Sequence, residues 1–342
     1  MIKYWFGFCL TALPLALHAA TSTFTADEKA VFFLSRTNKL MRLDLTANQI
    51  KEANLPAPIQ PDKVVALGTS NSGALLILQG RDLLSFDPSQ KHVSTLFSFN
   101  HKIKVNEKPE QWEPTDFTYN RADGSILLLA NNGHYDQLFQ LPKSQQNVRA
   151  IWQRRVSRIT GLTYLSSGQL VFGSGGDLWC GMIGEDPDSP EETRHFLRAI
   201  RIAPLGTLET DNATPSQQGV SVVAASAKLL YIHVERLGGS GWGSILTLRL
   251  PDPRIGQEPA ETDSKDASDP MYLDLLSRYQ LYRDNLASVQ SLGENGTDAC
   301  LSASPSGNKV FFRASQGQDE KEACWLVEGD QPPRRVADSE AE

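Results

Sequence analysis

One pattern constrains this chain more than any other: a polar turn, usually with glycine, that runs into an apolar, β-rich stretch and then returns. It reads "SNSGALLILQG" at 70–80, "RADGSILLLAN" at 121–131, "LSSGQLVFGSG" at 165–175 and "SPSGNKVFFRA" at 304–314. Two degenerate copies are "ADEKAVFFLSR" at 26–36 and "ASAKLLYIHVE" at 225–235. Gly73, Gly124, Gly168 and Gly307 stand where hairpin turns often need a positive φ. The surroundings repeat as well. A strand-like run precedes each turn ("KVVALGTS", "PTDFTYN", "ITGLTYLS"), another follows the apolar stretch ("DLLSFDP", "DQLFQLP", "ACWLVEG"), and a weaker fourth closes most units ("HVSTLFSF", "VRAIWQR", "RRVADSE").

Four short antiparallel strands restarting roughly every 45 to 60 residues are the mark of a β-propeller blade. The expected fold is all-β, a six-bladed β-propeller of four-stranded antiparallel blades. The units fall at about 21–58, 59–100, 112–155, 156–204, 217–283 and 296–340. Seven blades are the alternative, because 205–216 and 284–295 fit no unit. A β-sandwich competes, but it does not require four-strand units that restart on the same turn. In the fifth unit the Pro-rich, acidic stretch 251–270 reads as a mobile excursion, and 271–284 as an outer strand or a short helix.

The first twenty residues have the layout of a secretory signal peptide: Lys3, the apolar run "YWFGFCLTALPLAL", then "HAATS", with cleavage expected near Ala19 or Ala20. An N-terminal core strand, or a lipoprotein signal at Cys9, would be the other readings. The domain expectation is therefore a signal peptide over 1–20 and a single propeller over 21–342. The chain is expected to be periplasmic or secreted and monomeric, with no membrane span in the mature protein. An excess of 40 acidic over 33 basic residues, a formal charge of −7, argues against nucleic acid or an anionic membrane as the partner. Export permits a disulfide, and Cys300 and Cys324 are the possible pair; three buried reduced cysteines, with Cys180, is the preferred reading. No CxxC or Cys/His spacing suggests zinc.

With strands lettered a to d outward from the axis, the a–b and c–d turns share one face and the b–c and d–a connections the other. Apart from the 251–270 excursion on the first face, the long or unusual loops fall on the second face, including 99–116, 131–136 and 236–244, so binding is expected there. The candidate ligand-binding residues are Trp112, His134, Tyr135, Arg155, Arg158 and Trp242. Aromatics on loops stack on sugars, peptides or proteins, and arginines hold anions. Each has a plainer reading as packing or as solvated charge. Asp62, Asp116 and Asp298 stand near the start of innermost strands, where converging carboxylates would suit Ca²⁺ or Mg²⁺; Asp is also a common turn residue. Otherwise no cofactor is expected. No GxSxG, HExxH or P-loop occurs, and no catalytic set is assigned.

The stretches 114–141 and 159–179 resemble repeats of NHL and gluconolactonase-like propellers, and "ACLSASPSGNKVFFRAS" (299–315) resembles the TolB-type or WD-like bacterial repeat. The first resemblance implies a divalent metal held at the channel mouth by Glu, Asn and Asp. The positions matching its "PNG" hold Thr115–Asp116 and Thr160–Gly161, so the metal-binding Asn is missing from both. The expected function is non-catalytic binding of another envelope or extracellular protein, a peptide or a glycan through the b–c/d–a face. A metal-dependent hydrolase or lactonase is the alternative.

Overall fold

The computed structural model describes residues 21–105, 108–144, 147–153, 159–174, 176–190, 194–203, 205, 218–236, 243–251, 290–291, 300–314 and 323–338. The first sheet is β1 (Ser22–Phe24), β2 (Ala30–Leu34), β3 (Leu40–Asp44) and β4 (Gln49–Glu52). The second is β5 (Val64–Thr69), β6 (Leu75–Gln79), β7 (Asp82–Asp87) and β8 (His92–Ser98). A two-stranded hairpin follows, β9 (Ile103–Val105) and β10 (Lys108–Glu110). Next come β11 (Glu113–Tyr119), β12 (Ile126–Asn131), β13 (Asp136–Leu141) and β14 (Arg149–Gln153), then β15 (Thr160–Tyr164), β16 (Leu170–Ser174), β17 (Asp177–Glu185) and β18 (His195–Ala203). The last two sheets are β19 (Gln218–Ala225), β20 (Leu229–Arg236), β21 (Gly243–Arg249) and β22 (Gln290–Ser291), and β23 (Leu301–Ala303), β24 (Lys309–Ala314), β25 (Ala323–Glu328) and β26 (Arg334–Asp338).

The arrangement is all-β and propeller-like, made of four-stranded antiparallel meanders. Four of the sheets are separate and four-stranded, rather than the six or seven expected. The difference lies at β11–β18, where two meanders merge into one eight-stranded sheet. Their outermost strands, β14 and β18, pair in parallel through Trp152–Phe196 and Gln153–Leu197. The fourth strand of the β19–β22 sheet also departs from expectation. It lies at Gln290–Ser291, while 252–289 fall outside the described residues.

The strands form where the apolar runs predict, because their side chains are buried on both faces: Val31, Phe33, Leu76, Leu78, Leu128, Val171, Phe172 and Phe311 are all fully or nearly fully buried. Strands packed against a neighbour on each side read as continuous apolar runs instead of alternating ones. Six hydrophobic clusters occupy the seams. One joins the β1–β4 and β5–β8 sheets, and the next joins β5–β8 to β11–β13. Others lie between the two halves of the eight-stranded sheet, between its second half and β19–β21, and between β19–β21 and β23–β25. The sixth brings the two ends of the chain together: Phe24, Val31, Phe33 and Leu43 pack with Cys300, Phe311, Cys324 and Leu326. Every sheet is built from one contiguous segment, so the first and last meet by side-chain packing and share no strand.

Cys300 and Cys324 are both buried and are not bridged to one another, so the possible disulfide does not form. Arg313 of β24 pairs with Cys324 on one side, and its N–H bonds to Cys300 O on the other. Two strand spacings, about 9.5 Å, then separate the cysteines, beyond the Cα range a disulfide spans.

Four innermost strands, β5, β11, β15 and β19, carry a register shift near their start. Such bulges raise local twist and re-aim side chains. Within the bulge of β15, Gly161 adopts φ +57° with Ser221 O and Val222 Cα only 2.9 Å from where a Cβ would sit, so only glycine fits there.

Candidate functional site

The innermost strands end in the recurrent a–b turns, and these turns hydrogen-bond to one another. Asn71 Nδ2 donates to Arg121 O at 2.8 Å. Ala227 N donates to Gly307 O at 2.9 Å. Ser306 donates through its N and Oγ to the Glu28 carboxylate at 2.6 and 2.9 Å, which ties the last sheet to the first. Just below the turns, Thr23 Oγ1 lies 3.0 Å from Thr69 Oγ1, Ser22 Oγ donates to Ser302 Oγ at 3.0 Å, and Tyr164 N donates to Thr118 Oγ1 at 3.3 Å.

This collar surrounds a cavity of about 490 Å³. All six innermost strands contribute to its wall. Five of the lining residues are apolar, Leu67, Phe117, Leu162, Val223 and Leu301, each nearly fully buried with its side chain in a seam cluster. Nearer the turns the wall is rich in hydroxyls, with Thr69, Thr118, Tyr119, Thr163, Tyr164 and Ser302. Burial, with the Asp123 charge adding to it, holds the Tyr164 phenol well above its ordinary value, so it stays a neutral donor. Arg121 is the one charged side chain among the described lining residues. A hollow on which several polar side chains converge has the form of a ligand site.

The expected site lies at the other end of the strands, and there the structure shows packing. Trp112 is 0% exposed, wedged edge-on between Tyr135 and Phe139 at 5.4 and 5.2 Å between ring centres. It belongs to the seam cluster with Phe99, Val105 and Phe117, covered by the β9–β10 hairpin. The "NNGHYD" turn is held by its own amides: Asn131 Oδ1 accepts from Gly133 N, and Asn132 Oδ1 from His134 N and Tyr135 N. Glu110 of the hairpin accepts from Asn132 Nδ2 at 2.6 Å and from Tyr135 Oη at 2.9 Å. His134 is exposed, and Tyr135, 41% exposed, is the one exposed large hydrophobic residue among those described. Arg155, Arg158 and Trp242 lie outside the described residues.

Of the three expected carboxylates, the two described, Asp62 and Asp116, sit in different settings. Asp62 is exposed in a turn of 3₁₀ helix (Pro61–Lys63) ahead of β5. Asp116, 3% exposed within β11, accepts from Phe117 N at 2.8 Å and from Leu162 N of the adjoining innermost strand at 3.4 Å. Asp298 lies outside the described residues. Asp116 is thus spent on backbone donors, and among the described residues no three His, Cys, Asp or Glu side chains group to hold an ion. Asp62 and Asp116 do not fit the Ca²⁺ or Mg²⁺ centre that the gluconolactonase resemblance implies.

Sequence order did not reveal two features. Ser221 Oγ bonds Nδ1 of the fully buried His233, in a sheet interior outside the cavity wall. The cavity residues did leave a signal: "FTY" at 117–119 and "LTY" at 162–164 place Thr and Tyr just before the turn in successive units.

No family model and no curated protein matches the sequence. Among solved structures, the WD40 repeats of RRP9 superpose with a TM-score of 0.51 at 11% identity, over 93% of this chain and 95% of that one. TolB from Acinetobacter baumannii gives 0.50 at 14% identity, over 92% of this chain and 61% of TolB. A gluconolactonase from Xanthomonas campestris gives 0.49 at 8% identity, over 87% and 84%. No helix among the described residues is long and apolar enough to cross a membrane. At these identities the likeness is one of fold, and the fold it shows is the β-propeller.

Proposed function

We propose that this chain is an exported, non-catalytic six-bladed propeller that holds part of an envelope or extracellular partner in the cavity at the a–b end of its channel. Counting the eight-stranded sheet as two blades gives six, one hydrophobic seam between each consecutive pair. The observation that carries the binding reading is the cavity of about 490 Å³, lined by hydroxyl-bearing residues and by residues of all six innermost strands. The hydrogen-bonded turns around it favour a preformed mouth, which lowers the ordering cost of binding. The signal-like N-terminus supports export.

The opposite face is a second reading, favoured by the exposed ring of Tyr135. A photo-crosslinking residue at exposed Ser166 on the cavity rim, or at His134 on the opposite face, separates the two in envelope extract. Adducts from position 166, competed by unmodified protein, are the expected result. Adducts from position 134 alone, or from neither, overturn the cavity reading.

A further inference from the structure

Among the described residues the cavity wall contains one cation, in a protein of net charge −7, and its placement specifies a ligand. Arg121 follows the last residues of β11 and reaches toward the neighbouring blade. Its Nη2 donates to Thr69 O at 3.2 Å and its Nη1 to Asn71 Oδ1 at 3.3 Å. Its carbon Cζ lies 5.9 Å from the centre of the Tyr119 ring. A guanidinium carries more N–H donors than these two contacts use. No carboxylate among the described residues forms an ion pair with Arg121. The acid acting on it at longer range, Glu28, is already engaged by Ser306. Burial lowers the pKa of Arg121, so the charge sits where water solvates it less well and an anion would gain most.

Resting on the cavity reading above, we propose that the ligand is a peptide segment bearing a carboxylate, and that Arg121 holds that carboxylate while the edges of the innermost strands meet its backbone. One observation favours peptide over glycan. Each innermost strand stands at the end of its sheet, so one backbone edge has no strand partner, and where neighbouring side chains do not already take it, as Asp116 takes Leu162 N and Thr118 takes Tyr164 N, that edge matches the amides of an extended peptide. Arg121 fixes the register of the segment, because a planar fork recognises a carboxylate by geometry as well as by charge.

The test uses the full chain and fluorescent acetylated hexapeptide pools in three forms: acidic residues with a free C-terminus, the same with an amidated C-terminus, and Asp/Glu replaced by Asn/Gln. Oligouronides form a fourth arm. The expected result is binding of carboxylate-bearing pools, weakened about tenfold or more when the carboxylates are removed. Arg121→Met should erase that preference, and Arg121→Lys should keep part of it, both with thermal unfolding close to wild type. Because the peptide-side comparison needs no variant, it stands even if Arg121→Met folds poorly. Equal binding of charged and neutral pools would overturn the role of Arg121 while leaving the cavity reading intact. Oligouronides bound in place of peptides would overturn the peptide assignment. No binding in any arm, together with no adduct at position 166, would sink the cavity reading itself.

Discussion

The seam capped by the β9–β10 hairpin and the collar of a–b turns are built from opposite kinds of sequence. The seam uses a long connection, 99–116, with Trp112 and a histidine-tyrosine turn, the content expected of a recognition surface. The structure uses it for packing: Trp112 is fully buried, and Tyr135 and Asn132 both serve Glu110. The collar uses short turns of Ser, Thr, Asn and Gly with no ornament, and it frames the cavity. Loop length therefore tracks the surface a connection must cover, and convergence tracks the symmetry of the ring. Modest turns that converge on one cavity assemble more chemistry than one elaborate loop at the rim.

The largest effect that would break this contrast is at Trp112. Trp112→Ala should cost about 3–5 kcal/mol in urea unfolding, as expected for a large buried aromatic. Its Nε1 has no hydrogen-bond partner, so Trp112→Phe removes an unsatisfied donor along with volume and should cost less, about 1–2 kcal/mol. A Trp112→Ala protein of wild-type stability would mean the side chain is free to recognise a ligand. Next in size is Asp116→Ala, which leaves the N–H groups of Phe117 and Leu162 unserved and should cost about 2 kcal/mol. Its unfolding temperature, like that of the wild type, should be the same in calcium, magnesium or EDTA. A calcium-dependent rise in wild type that Asp116→Ala abolishes would restore the metal reading.

What was legible in the sequence follows the same division. The recurrent turn and apolar stretch placed almost every strand, because burial on both faces leaves an apolar run that local sequence cannot hide. The hairpin within 99–116 was not legible: "KIKVNEKPE" is charged and proline-bearing, and its strands form because Val105 and Trp112 are buried beside Phe99. Merging of the two central meanders was equally hidden. It depends on two parallel residue pairs between outer strands far apart in sequence. The cavity was half visible, in the repeated Thr-Tyr before two successive turns. The cation Arg121 in its wall was not, since it gains meaning only beside Thr69 and Asn71 of the neighbouring sheet.

A smaller effect sharpens the collar side. The Tyr164 phenol in the cavity wall has its pKa raised by burial, so the folded state favours the neutral form. A group raised this way contributes stability that is fully present below its unfolded value of 10.0 and is lost as pH climbs toward the folded value. Tyr231 shifts in the same direction, again chiefly through burial. Urea stability should stay level through neutral pH and fall above about pH 10, by at most about 1.4 kcal/mol per pH unit for each phenol. Tyr164→Phe should flatten that fall, and an unchanged slope would show that the wall is open to water.

The smallest expected effect lies on the seam side, at the one large side chain there that faces solvent. Tyr135 donates its hydroxyl to Glu110 at 2.9 Å, and its ring lies edge-on to Trp112. Tyr135→Phe keeps the ring contact and removes an exposed hydrogen bond, so the loss should be no more than about 1 kcal/mol. Tyr135→Ala removes the ring as well and should cost more, through the Trp112 contact. If the seam is packing alone, both variants should capture the same peptides as the wild type, whatever their stability. A Tyr135→Ala protein that folds normally but loses its ligand would move the working surface to this end of the strands and erase the contrast between the two regions.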